Sequence, residues 1–164
     1  MIYFSMRMRK TLFILMFISG LLARQSIVYF YVIPFDNIKE DPTVEWIASG
    51  LSDMIGNKFK SEPGLLMQNK KDLEIIMNDR SLMLKQPISS RNLLLLGKYY
   101  RQLEKINVSL QLIDLATWDQ VETKDIAAEY SDITKMKKEI GDNIQSMIAP
   151  YLPKGKNQIT AVFP

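Results

Sequence analysis

A chain of 164 residues has room for one ordinary domain, burying roughly two thirds of the surface its unfolded form would expose. It holds neither cysteine nor histidine, which excludes disulfides, thiolate and imidazole chemistry, transition-metal sites other than all-carboxylate ones, and the lipid-attachment cysteine of a bacterial lipoprotein. The net charge of +3 is not a nucleic-acid footprint: Arg7, Arg9, Lys10 and Arg24 precede Gln25 with no acidic residue among them, so the rest of the chain carries 17 basic against 18 acidic residues.

Those early cations are followed by an apolar run from Leu12 to Ala23, broken only by Ser19 and Gly20. Spanning a bilayer takes about 20 apolar residues, so a run of this length reads as the apolar region of a secretory signal, or else as an uncleaved N-terminal anchor. Residues 1–25 are expected to be this leader, 26–153 one α/β domain, and 154–164 a C-terminal tail in which Ile159, Ala161 and Phe163 alternate.

The stretch from Ile27 to Asp36 opens with seven consecutive apolar or aromatic residues and meets Pro34, the pattern of a strand in the middle of a sheet. Asp41-Pro42 then caps and starts a helix whose stripe is Val44, Ile47, Ala48, Leu51, Ile55 and Phe59. Gly50 within it is expected to let the helix approach the sheet. Leu65 to Met67 form a short second strand, placed parallel to the first by the intervening helix. Asn69 with Asp72 makes a capping box for a helix presenting Leu73, Ile76 and Met77, and residues 80–92 read as loop with a helical turn.

From Leu93 the period changes. Leu93 to Arg101 and Ile106 to Leu115 read as a hairpin joined at Glu104-Lys105, with Ile106, Val108, Leu110 and Leu112 on one side and Asn107, Ser109 and Gln111 on the other. A strand polar on one side belongs to a sheet face left open. Val121 to Tyr130 forms a third strand, its Glu122, Lys124 and Asp125 protecting an edge. A last helix follows Ser131 as cap, burying Ile133, Met136, Ile140, Ile144, Met147 and Ile148. The expected architecture is α/β and two-layered: a mixed sheet of about five strands in the order β-α-β-α-β-β-β-α, with helices on one face.

The chemistry open to such a chain is narrow. No serine has lysine three places on, no phosphate-cradling glycine pattern occurs, and only paired carboxylates remain for hydrolysis. No catalytic, cofactor-binding or metal residue is assigned, and no enzymatic activity is expected. Lys135, Lys137 and Lys138 read as a solvated basic face, Tyr99-Tyr100-Arg101 as rings packed on a strand, and Trp118 as a turn residue covering the end of the core or marking a contact.

Three segments in order carry a resemblance: Val32-Ile33-Pro34-Phe35-Asp36-Asn37; Ile47-Ala48-Ser49-Gly50-Leu51-Ser52-Asp53 leading to Pro63-Gly64-Leu65; and Leu96-Gly97 followed by Val108 to Thr117. Together they resemble the family of the TolB N-terminal domain and FlgO-like proteins, with a more distant similarity to CsgG and LpoB, over about residues 28–148. The chain departs from that pattern at Trp118, where similar sequences usually carry glycine, and in the shorter segment before Leu93. The resemblance implies a non-catalytic α/β module for protein contacts in the bacterial envelope, periplasmic or outer-membrane associated. It also implies an envelope protein as partner and no nucleic acid, with membrane contact only through the leader or partner, and it is compatible with a homo-oligomer. The competing expectation is a periplasmic module that senses a small ligand or nucleotide.

Overall fold

The computed structural model describes residues 27–153. The leader over 1–25 and the tail over 154–164 lie outside the described residues. Among those described, no helix is long and apolar enough to cross a membrane.

The fold is α/β around one mixed sheet. Its strands are β1 (Val28–Val32), β2 (Asp36–Asn37), β3 (Leu65–Gln68), β4 (Arg91–Gln102), β5 (Lys105–Asp114) and β6 (Gln120–Glu129), in spatial order β3-β1-β4-β5-β6, with β2 pairing β4. β1 runs parallel to both β3 and β4, whereas β4, β5 and β6 form an antiparallel meander. The first apolar stretch is therefore central, as its composition requires. Pro34 interrupts it, and only Asp36 and Asn37 resume pairing, beside Lys98 and Tyr99.

Two long helices cover one face of the sheet. In α1 (Trp46–Phe59) the stripe Ile47, Leu51, Ile55 and Phe59 is buried. Asp41 caps the 3-10 turn that leads into it, its carboxylate accepting from Thr43 N–H at 2.9 Å and Thr43 hydroxyl at 2.7 Å. The C-terminal helix α4 (Ile133–Ile148) buries Met136, Ile140, Ile144, Met147 and Ile148. Asp132, not Ser131, caps it, accepting from Lys135 N–H at 2.9 Å; a carboxylate one residue nearer the helix reaches the amide that Ser131 would miss. Both helices pack on Val28, Phe30, Leu93, Leu95, Ile106, Val108, Leu110 and Leu112.

Helices on one face describes α1 and α4. Two short helices, α2 (Lys70–Asn78) and α3 (Ser81–Leu84), lie against the opposite face, where Ile76, Leu73 and Met83 join Tyr31, Leu94 and Leu115 in a second, smaller cluster. The capping box of α2 is complete: Asn69 Oδ1 accepts from Asp72 N–H at 3.2 Å and Asp72 Oδ2 accepts from Asn69 N–H at 2.9 Å. Met77 points away from this cluster and is exposed.

The glycine at which a side chain presses on the sheet is Gly97, not Gly50. A Cβ on Gly97 would overlap the Phe35 ring, whereas one on Gly50 would meet only the Trp46 ring, at 3.7 Å. Gly56 meets nothing within 4 Å, so its cost of about 1 kcal/mol relative to alanine in a helix interior answers no packing need.

Candidate functional site

The segments that carry the resemblance meet in space. Phe35 lies on Gly97, Ser52 Oγ donates to the Ile33 carbonyl at 3.3 Å, and buried Asn37 donates its Nδ2 to the Asp41 carbonyl at 2.9 Å and to Glu45 Oε2 at 3.0 Å. Each of these contacts holds the chain between β1 and α1 against the sheet. These residues build a frame.

The site they leave is the far half of the second sheet face. Because α2 and α3 reach only as far as Leu96 and Ile113, the strands beyond carry uncovered side chains, which the register sets in rows. Lys98, Ser109 and Asp125 are adjacent across β4, β5 and β6, as are Tyr100, Asn107 and Ala127, and Leu96, Gln111 and Thr123. Asn107, Ser109 and Gln111 all lie on this open face, on the side opposite the buried Ile106, Val108, Leu110 and Leu112. Between Ile38 and β6 the face dips into a depression of about 270 Å³ lined by Lys98, Tyr100, Asn107, Ser109, Asp125 and Ala127.

Its polar groups are unevenly satisfied. Among the described residues, two buried side-chain atoms have no hydrogen-bond partner, Nδ2 of half-buried Asn107 on this face and Asn37 Oδ1 in β2. Lys98 and Asp125 have no ion-pair partner among the described residues. With neighbouring strands about 4.8 Å apart, these two charges originate about 10 Å from each other with Ser109 between. Lys39 Nζ sits 4.5 Å from the Tyr100 ring centre and closes one side of that ring.

The sheet separates the residues of Tyr99-Tyr100-Arg101. Tyr99 is buried under α1, its hydroxyl donating to the Val44 carbonyl at 3.1 Å, and burial, with Glu45 nearby, raises its pKa. Arg101 stacks on Tyr130 at 4.3 Å. Only Tyr100 reaches the depression. Lys138 and Lys58 converge on Asp142 at 2.7 and 2.9 Å, bonds that lower the Asp142 carboxyl to about 2. The basic cluster is thus partly paired, with Lys135 and Lys138 exposed to solvent.

Trp118 stands in the β5–β6 turn at φ 65, a left-handed conformation that glycine adopts freely, with the Arg80 guanidinium 5.0 Å from its ring. The ring ties the α2–α3 connection to the meander. A polar cleft of about 670 Å³ between Ile88–Asn92 and Pro150–Pro153 contains the two other buried polar side chains, and both are satisfied. Asp114 accepts from Arg91 Nη1 at 3.0 Å and Ala116 N–H at 2.9 Å; Asn92 accepts from the Tyr31 hydroxyl at 3.2 Å and donates to Gln86 at 2.7 Å. Burial first, then Asp72, pushes the Tyr31 hydroxyl up to about 12.

The alternation in β5 marked the open face, but no local signal in the sequence brings Lys98 and Asp125 beside Ser109, since that depends on register across three strands. No family model and no curated protein matches the sequence. Among solved structures, TolB from Acinetobacter baumannii aligns with a TM-score of 0.51 at 14% identity, over 76% of this chain and 29% of that one. The PelC dodecamer from Paraburkholderia phytofirmans aligns at 0.45 and 15%, over 78% and 90%, and lipoprotein GNA1162 from Neisseria meningitidis at 0.42 and 13%, over 80% and 99%. At these identities the likeness is one of fold: the chain shares its fold with a part of TolB while spanning less than a third of TolB's length.

Proposed function

We propose that the chain is a non-catalytic protein-contact module exported to the bacterial cell envelope, and that it meets its partner through the open face of β4, β5 and β6. The observation that carries this reading is the buried, unpartnered Nδ2 of half-buried Asn107 beside Lys98 and Asp125, which have no ion-pair partner among the described residues. A buried polar group without a partner costs about 1–3 kcal/mol, a cost that an incoming carbonyl removes. The cationic leader with its short apolar run and the fold shared with TolB support the envelope assignment. The absence of histidine and cysteine supports a role without catalysis.

The test is a photo-crosslinking residue at position 109, with one at exposed Glu139 on α4 as control, in cells of the native host. A discrete adduct at 109 that the pair Lys98→Glu and Asp125→Lys abolishes is expected. Adducts of equal yield at both positions would overturn the proposal. The depression also favours a second reading, a small zwitterion held between Lys98 and Asp125. Thermal shift distinguishes the two, since a ligand at 100 times its Kd adds about 2.7 kcal/mol of stability.

A further inference from the structure

A second surface, on the opposite edge of the sheet, has the geometry of a strand-accepting groove. Among the described residues, β3 ends the sheet and pairs only with β1. Val28 N–H donates to the Gly64 carbonyl at 2.8 Å. In a parallel ladder that bond turns Leu66 toward β1 and leaves the backbone groups of Leu65 and Met67 facing outward; the Leu65 N–H is taken by the Glu62 carbonyl at 3.1 Å, so the Leu65 carbonyl and both groups of Met67 are the ones open to pairing. Beside them runs a groove of about 580 Å³ between β3 and α1, lined on the helix by Asp53, Gly56, Asn57 and Lys60. Leu65 and Met67 pack on the α1 side of the sheet and form its apolar floor.

Gly56 lies in the middle of the helix wall, and the space where its side chain would stand is empty. The charges at the two ends, Asp53 and Lys60, have no partner among the described residues. Lys60, the residue that caps α1, follows Asp53 by seven positions, a rise of about 10 Å along the helix. Alternate side chains of an extended strand at positions i and i+4 span about 13 Å, a difference that long charged side chains absorb.

We propose that this groove accepts an extended peptide segment of a partner protein as an added strand antiparallel to β3. An apolar side chain drops onto Gly56, with a basic residue two positions before it at Asp53 and an acidic residue two positions after it at Lys60. Backbone pairing to Met67 and to the Leu65 carbonyl supplies affinity, and the charge–apolar–charge pattern supplies register and direction. The proposal shares the reading of a contact module but uses a different surface, so the cross-link at position 109 and the experiment below can fail independently.

The probe is a fluorescently labelled peptide, acetyl-Thr-Lys-Thr-Leu-Thr-Glu-Thr-amide, followed by fluorescence polarisation against the full chain, with the Lys/Glu-exchanged peptide as control. The first peptide is expected to bind at least tenfold more tightly. Gly56→Leu is expected to abolish that binding without lowering the melting temperature, which separates a filled groove from a damaged fold. The pair Asp53→Lys with Lys60→Glu is expected to reverse the preference between the peptides. Equal binding of both peptides, or binding undiminished in Gly56→Leu, would overturn the proposal. So would a dimer that Gly56→Leu dissolves, which would assign the groove to a second copy. Tighter binding of a peptide with the sequence of residues 157–164 would likewise overturn it, assigning the groove to the chain's own C-terminal segment.

Discussion

Phe35, in the β1–α1 connection, packs directly over Gly97 of the sheet. Phe35 is buried, and the ring occupies the place of any side chain at position 97. Gly97→Ala is therefore expected to destabilise by about 1–3 kcal/mol, as overpacking does. The same substitution in a Phe35→Ala background is expected to cost much less, a coupling that urea melts of the four proteins measure. Leu103, at the tip of the β4–β5 hairpin, sits at φ 56 with its side chain in solvent. A left-handed residue other than glycine costs about 1–2 kcal/mol, partly offset by the extra chain entropy of glycine, so Leu103→Gly is expected to stabilise by about 0.5–1 kcal/mol in the same assay. Asp142 carries a sign that can be worked out: its folded pKa, about 2, lies below the ordinary aspartate value of about 3.9. Its stabilising effect is thus complete above pH 4 and is lost as the pH falls through that window. The difference in denaturation midpoint between wild type and Asp142→Asn is expected to shrink toward pH 2 and in high salt, because the carboxylate is exposed.

The elements divide into two tiers. α1 and α4 share one large cluster with all the long strands, whereas α2 and α3 are attached through Ile76, Leu73 and Met83 over β1 and the first half of β4. Fewer apolar contacts mean a lower opening free energy. Hydrogen exchange is expected to show α2 and α3 amides exchanging well before those of α1 and α4. Ile76→Ala is expected to widen that gap while leaving α4 protection unchanged; equal protection in all four helices would refute the two tiers. The edges differ as well. β6 carries Glu122, Lys124 and Asp125, charges that discourage pairing, while β3 carries exposed Leu66 beside Met67, whose backbone groups have no strand partner among the described residues.

For the molecule as a whole, local patterns in the chain determined the elements. Alternation over Ile106–Leu112 set both faces of β5, the three-and-four spacing set the buried stripes of α1 and α4, and Asn69 with Asp72 set the start of α2, because each signal acts between residues a few positions apart. The mixed sheet and its parallel β1–β3 pair followed from the order of those elements. Tertiary structure decided what depends on register and on partners distant in sequence. It set which glycine meets a ring, and that α2 and α3 cross to the second face because Ile76 finds Tyr31 and Leu94 there. It also aligned Lys98, Ser109 and Asp125 in a row across three strands and opened the groove over Gly56. A sequence records which side of a strand is polar, but only pairing between strands gathers those polar residues into a site.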